Sequence, residues 1–323
     1  MSRHTVVFDE LKERGYDITS YKLLSGGINS SVFRVISSNQ KCFVLKLYPM
    51  PSSDDPRNRC HAEINFLGYL RFCDITSCPK ILEFNLENAW SLISWIDGEK
   101  PTSLSTMQLH QIIDFIYSIN RPELYFMRNK LKTASDAYKS LHCFAHAVMQ
   151  RISRFYSSDI SNDISYQAIF WIRTTIEPLL VDLIHYFSKF PCSSGDHESS
   201  ASTMIASPSD FGIHNMLRKN DKLYFIDFEY AGIDDIVKLF ADFILQPNLP
   251  FDLEQEKYFL GLASSKFVDI LDEHWLYRYN KLKPLFVIKW SLIMLNRLKS
   301  GLLDEHQFSK TLSYFDRYKT IFF

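Results

Sequence analysis

Hydrophobic and polar positions alternate with a period of two in three short segments near the N-terminus. The segments read "YKLLS", "SSVFRVIS" and "KCFVLKLY", and the polar turn "SNQK" joins the last two. This alternation is typical of β-strands, because successive side chains of a strand point to opposite faces of a sheet. The segment "AWSLISWIDGEKPT" returns to the strand pattern and ends in a Gly-Glu-Lys-Pro turn. We therefore expect a small antiparallel sheet in this part of the chain.

One helix is expected between these strands, in the segment "DDPRNRCHAEINFLGYLRF". Its apolar residues Ile64, Leu67 and Leu70 recur at helical spacing and predict one buried side. Asp54 or Asp55 is the expected N-terminal cap, because a short acidic side chain accepts hydrogen bonds from the first free backbone amides.

The rest of the chain has a mostly helical pattern. Residues 104–190 are almost wholly helical in period, the Ser-rich residues 192–204 are typical of an exposed loop, and residues 285–298 predict a buried helix. The expected fold class is α+β with two lobes. Residues 1–97 would form the smaller lobe, a sheet with one helix, and residues 98–323 the larger helical lobe.

Composition and charge exclude several classes of protein. The chain has 323 residues, 46% of them hydrophobic, and 36 basic against 37 acidic residues leave a net charge of -1. A folded protein with no general attraction to nucleic acid or membranes is expected. The acidic N-terminal segment is unlike a secretory signal, and the six cysteines form no CxxC pair. We expect free thiols and a cytoplasmic protein, and the sequence leaves the oligomeric state open.

Lys46 and Glu63 are the first candidates for chemistry. Lys46 lies in mid-strand on the same face as Val44 and Tyr48. Such a lysine commonly extends to solvent from an edge strand, unless a carboxylate or phosphate faces it. Glu63 precedes Leu67 by one helical turn, so a helix packed on the sheet would point Glu63 inward as the partner of Lys46. A solvated Glu63 is the alternative.

A glycine turn precedes the second strand. Gly26 and Gly27 are followed by Asn29, Ser30 and Ser31, a composition that lets backbone and hydroxyl donors approach phosphate oxygens. A simple hairpin turn is the alternative for this segment.

The strongest candidates are Asp210, Asn215 and Asp227, in "SPSDFGIHN" and "FIDFE". The second segment otherwise has the pattern of a buried strand, where a carboxylate is costly unless something pairs with it. Few oxygen ligands, completed by substrate phosphates, are what Mg²⁺ requires. Taken singly, Asp210 could be a turn residue and Asp227 a residue that caps a strand end.

Taken in order, these features resemble the protein-kinase fold, and most closely the aminoglycoside phosphotransferase and choline kinase family of small-molecule kinases. That family's loop typically reads His-Gly-Asp-x₄-Asn and its metal strand Ile-Asp-Phe/Trp-Glu. Here Pro208 and Ser209 replace the histidine and glycine. The Asp-Phe-Glu of the strand and the lack of an Ala-Pro-Glu segment disfavour a protein kinase. The resemblance extends loosely over residues 20–300.

The resemblance implies a role for each matched residue. Asp210 would orient the acceptor hydroxyl and take its proton, while Asn215 and Asp227 would hold Mg²⁺ against the phosphates of ATP. Lys46, held by Glu63, would neutralise the α- and β-phosphates. The remaining ATP-binding candidates are the glycine turn, with Gly26, Gly27, Asn29, Ser30 and Ser31, and the hinge, with Ser94, Trp95 and Ile96.

The function implied is ATP- and Mg²⁺-dependent phosphoryl transfer to a hydroxyl group of a small metabolite such as a sugar, an amino alcohol or an aminoglycoside-like compound. A catalytically weak, nucleotide-binding pseudokinase that acts as a scaffold or regulator is the alternative, and Pro208 is its sequence support. A cationic acceptor would need an acidic pocket. The candidates for that pocket are Asp97, Glu99, Asp234 and Asp235, and both Asp235 and Asp242 are candidates for loop support or substrate contact.

Overall fold

The structure is a computed structural model, and it describes residues 3–24, 30–53, 55–135, 137, 140–157, 162–189 and 203–322. The chain packs as two compact units. The first consists of Met1–Ser135 with Ala206–Ile233, and the second of Asp136–Ile205 with Asp234–Phe323. The expected lobe boundary between residues 97 and 98 lies inside the first unit and stays a prediction.

The first unit contains a five-stranded antiparallel sheet with the strand order β1-β2-β3-β5-β4. Its strands are β1 (Ile18–Leu23), β2 (Ser31–Ser37), β3 (Cys42–Leu47), β4 (Ile81–Asn85) and β5 (Trp90–Ser94). The strands expected from the alternating segments are confirmed. Strand β4 was not expected, because it is a short edge strand with two polar residues, Glu83 and Asn85.

Helix α1 (Arg3–Glu13) covers one face of this sheet, so this unit has a second helix that the sequence pattern did not indicate. Only Val7 and Leu11 are buried on it, which is too narrow an apolar stripe to stand out in a charged segment. They pack in one cluster with apolar side chains from three strands, namely Phe33, Val35, Leu45, Leu47, Trp90 and Leu92.

Helix α2 (Arg59–Phe72) is the expected helix, and Ile64, Leu67 and Leu70 are buried on it as predicted. The expected cap was wrong. Asn58 caps the helix, and its side chain accepts a hydrogen bond of 3.0 Å from the His61 amide. Asp55 lies too early in the chain to reach those amides and instead binds the Arg57 and Arg59 guanidinium groups. Asp54 lies outside the described residues.

The remaining elements of the first unit hold in position the loop that directly precedes residue 216 and contains Asp210 and Asn215. It contains α3 (Thr106–Ser118), α4 (Tyr125–Arg128) and a hairpin of β7 (Met216–Lys219) and β8 (Lys222–Phe225). Phe225 stacks on Phe115 of α3 with a ring separation of 4.1 Å, and the Gln111 side chain accepts a hydrogen bond from the Leu223 amide. The hairpin is thereby held on α3, and the loop and the strand end that flank it are held with it.

The second unit is helical, as expected for the larger part of the chain. Its helices are α5 (Leu141–Tyr156), α6 (Asp163–Trp171), α7 (Glu177–Lys189), α8 (Ile236–Ile244), α9 (Leu253–Lys266), α10 (Trp275–Met294) and α11 (Glu305–Tyr318). The chain passes between the units after Ser135 and again within β6 (Met204–Ser207) and β9 (Gly232–Asp235). Most of the apolar segment 285–298 lies in α10, which is extensively buried, as predicted.

Two further expectations concern the whole chain. In the portion that the structure describes, no helix combines the length and the apolar character needed to cross a bilayer. The cysteines within that portion are free thiols, as expected: Cys42, Cys60, Cys73, Cys78 and Cys143. Cys192 and most of the Ser-rich segment lie outside the described residues.

Candidate active site in the first unit

Lys46 and Glu63 form a buried ion pair between the sheet and α2. The Lys46 side chain lies on the face of β3 opposite α1, and its ammonium group is 2.5 Å from Glu63 Oε2 and 2.7 Å from Asp227 Oδ1. Glu63 is 1% exposed and Lys46 is 4% exposed, so neither residue extends into solvent. The inward orientation of Glu63 that the helical spacing predicts is therefore observed. Tyr48, two residues further along the strand, donates a hydrogen bond of 2.8 Å to Glu63 Oε2.

The charge balance keeps Lys46 protonated. Burial by itself would lower the pKa of Lys46, but the negative charges of Glu63, Asp227 and Glu229 outweigh burial and raise the pKa above its usual value. The three carboxylates thus hold one cation at a fixed position. Such a cation is able to bind phosphate oxygens in the cavity beside it.

Replacing Lys46 with Met keeps the length of the side chain and removes its charge. Because Glu63 then stays buried without its cation, we expect the free energy of unfolding to fall by about 3–5 kcal/mol. If the cavity binds ATP, as the resemblance implies, the affinity for ATP should fall about 10- to 100-fold, the range for a lost charged hydrogen bond. Urea unfolding and calorimetric titration with ATP measure the two effects.

The double variant Lys46→Met/Glu63→Gln separates the effect on stability from the effect on ATP affinity. It should regain most of the stability, because Glu63 no longer leaves a buried charge unpaired and Asp227 is partly solvated, and it should still bind ATP weakly. If the double variant is as unstable as the single variant, the ion pair is not the source of the stability loss.

Asp227 lies two residues beyond the end of β8, in a left-handed backbone conformation. Its φ is +67°, a left-handed value that Asp and Asn tolerate better than most residues. The preceding amide, that of Ile226, donates a hydrogen bond of 3.0 Å to the Asn215 carbonyl. One oxygen of Asp227 pairs with Lys46, and the carboxylate remains 40% exposed. A metal ligand needs this combination of fixed backbone and accessible oxygen.

The Asp210 loop is closed by hydrogen bonds from its own residues. Asn215 Nδ2 donates to the Asp210 carbonyl at 2.8 Å, which leaves the Asn215 Oδ1 atom as the acceptor on the other side of the amide. Ser209 has a φ of +66°, its amide donates to Ser207 Oγ, and its hydroxyl donates to the Ser135 carbonyl. The serines therefore support a loop in which Pro208 and Ser209 replace the family's histidine and glycine.

A cavity of about 400 Å³ brings most of the expected site residues together. Its polar lining includes Lys46, Glu63, Asp210, Asn215 and Asp227. Its apolar lining includes Val32, Val44, Ile93, Leu217 and Ile226. All of these residues belong to the first unit. An apolar lining beside the Lys46 ammonium group and several oxygen ligands is suited to a flat nucleobase joined to phosphates.

The hinge residues Ser94, Trp95 and Ile96 line the same cavity, as expected. The amide and hydroxyl of Ser94 are both occupied by the Lys80 backbone. Within the described part of the chain, the Ile96 amide donates no hydrogen bond to another residue. The hinge then passes Gly98, where a Cβ would come within 3.1 Å of the Arg218 carbonyl oxygen. Ile96 is therefore a candidate position at which the edge of a nucleobase would meet a free backbone donor.

The glycine turn is only partly described. Gly26, Gly27 and Asn29 lie outside the described residues, so their expected role is not addressed by the structure. Ser30 lines the cavity, and its hydroxyl donates a hydrogen bond of 2.6 Å to Glu229 Oε2. Ser31 is exposed at the start of β2 and does not line the cavity.

Two residues that line the cavity, Glu229 and His214, and one beside it, Tyr48, make contacts that the sequence did not assign to them. Glu229 is 5% exposed, and burial raises its pKa above the usual value although Lys46 opposes the shift. Tyr48 supports Glu63, and His214 contacts Asp210. The strand alternation placed Tyr48 on the face of Lys46, and "FIDFE" contains Glu229, so a signal existed for both. For His214 the signal was its spacing of four residues from Asp210.

The acidic residues proposed for a cationic acceptor differ in accessibility. Asp234 and Asp235 are 0% exposed, and they pair with Lys238 at 2.7 Å and with Arg278 at 3.2 Å. Asp235 also caps α8. The interpretation of these two residues as part of an open acidic pocket is therefore contradicted by their burial. The remaining two candidates, Asp97 and Glu99, are exposed.

Asp242 also forms buried ion pairs, with two lysines of the second unit. It lies 2.6 Å from Lys289 and 3.2 Å from Lys238. Burial by itself would raise the pKa of Asp242, but the two ammonium groups outweigh burial and hold the pKa below its usual value. A carboxyl group with a lowered pKa in the folded state stabilises the fold above its unfolded pKa, near 4, and loses that effect as the pH falls.

The Asp242→Asn variant is expected to be about 3 kcal/mol less stable than the wild type at neutral pH, because Lys289 loses its buried partner. The difference should shrink as the pH falls below about 4, because the Asp242 carboxyl then becomes protonated in the unfolded wild type, and it should vanish once the folded state is protonated as well, at a lower pH. Urea midpoints at several pH values measure it, with Asp316→Asn on the exposed side of α11 as control. A difference that stays constant as the pH falls would contradict the assignment.

The residues present fit a magnesium ion bound together with a nucleotide. In the described ranges, no group of three His, Cys, Asp or Glu side chains is placed to hold a metal by itself. The Asn215 and Asp227 oxygens line one cavity and supply two hard ligands. Mg²⁺ usually takes one or two protein oxygens and completes its shell with phosphates and water.

Solved structures share this architecture over nearly all of the chain. Macrolide 2'-phosphotransferase type I superposes with a TM-score of 0.62 at 10% identity, over 96% of this chain and 95% of that chain. A choline/ethanolamine kinase family protein from Mesorhizobium loti gives 0.61 at 14% identity, over 99% and 95%. A spectinomycin phosphotransferase, solved in complex with ADP and spectinomycin, gives 0.60 at 13% identity, over 98% and 93%. The fold is that of the small-molecule phosphotransferases.

The sequence profile of the "Phosphotransferase enzyme family" matches residues 20–117, which include the sheet, α2 and the hinge of this phosphotransferase fold. No curated protein matches the sequence significantly. The resemblance stated from the motifs and the α+β kinase-like fold class are confirmed. The identities to the solved structures are low, so the superpositions establish the phosphotransferase fold.

Proposed function

We propose that the chain is an ATP- and Mg²⁺-dependent phosphotransferase that moves the γ-phosphoryl group to a hydroxyl group of a small metabolite. The observation that carries the proposal is the convergence of Lys46, Glu63, Asp210, Asn215 and Asp227 on one cavity. They come from four separate stretches of the chain, and each is of the residue type that phosphoryl transfer needs at its place.

The proposed binding mode follows the cavity lining. The base lies in the apolar slot between Val32, Val44 and Ile226, with its edge toward the Ile96 backbone. The α- and β-phosphates approach the Lys46 ammonium group, which then exchanges part of its contact with Asp227 for phosphate oxygens. Asn215 and Asp227 hold Mg²⁺, which supplies charge neutralisation for the phosphates when it is bound.

The proposed reaction places Asp210 next to the acceptor. Its carboxylate is 40% exposed, so an acceptor hydroxyl is able to reach it. The acceptor oxygen forms a bond to the γ-phosphorus, the bond from that phosphorus to the bridging oxygen of ADP breaks, and the hydroxyl proton passes to Asp210. Positioning and charge stabilisation account for most of the catalysis in this type of reaction.

An acceptor screen tests the proposal. Purified protein is incubated with ATP and Mg²⁺ and with sugars, amino alcohols and aminoglycosides in separate reactions, and ADP release is compared with and without acceptor. At least one class should raise ADP release, and chelation of Mg²⁺ with EDTA should abolish the increase. ATP binding without acceptor-dependent ADP release in any class would favour the nucleotide-binding pseudokinase instead.

A further inference from the structure

His214 lies beside the Asp210 carboxylate, within the same loop. Gly212 has an extended backbone, and a short 3-10 turn at Ile213–Asn215 then brings His214 back toward Asp210. The distance from His214 Nε2 to Asp210 Oδ1 is 3.2 Å. In the described part of the chain, this is the single side-chain hydrogen bond that the Asp210 carboxylate makes.

The other ring nitrogen indicates which atom carries the proton. His214 Nδ1 is buried and has no hydrogen-bond partner among the described residues. A buried N–H group without an acceptor costs about 1–3 kcal/mol, so a proton on Nδ1 is disfavoured. The proton on Nε2 has an acceptor in Asp210 Oδ1. His214 is therefore a donor to Asp210.

We propose that His214 is a positioning residue for Asp210, which it holds by one carboxylate oxygen so that the other oxygen faces the acceptor hydroxyl. This inference rests on the proposed function, because it assigns Asp210 to the acceptor. A freely rotating carboxylate spends only part of its time in the reactive orientation, whereas one fixed oxygen restricts that rotation. The hydrogen bond crosses the loop in which Pro208 and Ser209 stand, so the loop carries its own histidine at a different position.

A histidine that merely fills the turn is the alternative. Its replacement by a residue of similar volume would change stability and would leave the Asp210 side chain where it is. The test therefore compares His214→Leu, which keeps volume and removes the donor, with His214→Gln, whose amide nitrogen is able to donate to Asp210. His306→Leu, at an exposed position of α11, controls for the loss of a histidine.

Crystal structures of the wild type and the two His214 variants test the contact without any need for activity. The Asp210 carboxylate should keep one orientation in the wild type and in His214→Gln, and should rotate or occupy several orientations in His214→Leu. An unchanged Asp210 side chain in His214→Leu would overturn the proposal. The crystal structures remain informative if the acceptor screen finds no acceptor. The role of His214 and the proposed function can therefore fail separately.

Kinetics with the acceptor found by the screen test the consequence. His214→Leu should lower kcat about 10- to 100-fold with the KM for ATP unchanged, and His214→Gln should stay within about threefold of the wild type. In an Asp210→Asn background, His214→Leu should lower single-turnover transfer by less than about threefold, because the two residues act as a unit. An equal loss in both backgrounds, or a raised KM for ATP with kcat unchanged, would refute the positioning role.

Discussion

An Asp227→Asn variant is expected to lose at least about 10³-fold in phosphoryl transfer, because a neutral amide replaces the charge of the proposed metal ligand. Asn tolerates the left-handed backbone of this position as Asp does, with its φ of +67°. Lys46 keeps Glu63 as a partner, and the Asp227 carboxylate is already 40% exposed. The midpoint of thermal unfolding should therefore change little. Steady-state transfer with varied Mg²⁺ and a thermal melt measure the two quantities.

Asp221→Asn is the matched control for this substitution. Asp221 also has a left-handed backbone, with a φ of +61°, but it lies in the exposed turn between β7 and β8. The control should transfer phosphoryl groups like the wild type. Asp227→Ala is less informative, because alanine adds a backbone cost of roughly 1–2 kcal/mol at a left-handed position. Activity of Asp227→Asn within tenfold of the wild type would contradict the metal assignment.

An Asp210→Asn variant is expected to bind ATP and to transfer poorly. The asparagine has nearly the volume of aspartate and its Oδ1 is still able to accept the hydrogen bond from His214, but it does not take a proton. Turnover should fall by at least roughly 10²-fold, the lower range for a lost general base. Nucleotide affinity should be retained, because the proposed phosphate and metal contacts belong to Lys46, Asn215 and Asp227.

Calorimetric titration with ATP and Mg²⁺, beside a single-turnover assay, separates these two effects for Asp210→Asn. Asp221→Asn again serves as the control for an Asp→Asn change in the same unit. A residue that only shapes the turn would give a stability loss on the order of 1 kcal/mol and unchanged turnover per folded molecule. That outcome would remove Asp210 from the proposed reaction.

Much of the first unit could be predicted from local pattern. The strands β2 and β3 alternate over enough residues to be evident, and the buried side of α2 follows from three apolar residues at helical spacing. Helix α1 was missed because only Val7 and Leu11 are buried on it, and strand β4 because it is a short edge strand that contains Glu83 and Asn85. The cap of α2 was misplaced because Asp55 is engaged by two arginines that compete for its carboxylate.

The candidate site was predictable in its residue types and less so in their surroundings. Asp210, Asn215 and Asp227 were evident from spacing, and Lys46 and Glu63 from one strand and one helix. For His214 the spacing of four residues from Asp210 was a signal, whereas Glu229 gained its contact from Ser30, a partner that a linear pattern does not reveal. The same holds for Asp234 and Asp235, whose charges are satisfied by Lys238 and Arg278.

By itself, the sequence determined most of the strands and helices and the order of the charged residues along them, because these depend on periodicity and short spacings. The kinase-like fold class followed from the resemblance of its motifs to a known family. The tertiary structure alone decided which carboxylates are accessible. Lys46 forms an ion pair with Asp227, 181 positions away in the sequence, and Asp227 stays accessible. Asp234 is buried in an ion pair with Lys238, four residues away. Burial and long-range pairing depend on how the elements pack. The ability of a carboxylate to bind metal or accept a proton therefore depends on its neighbours in space.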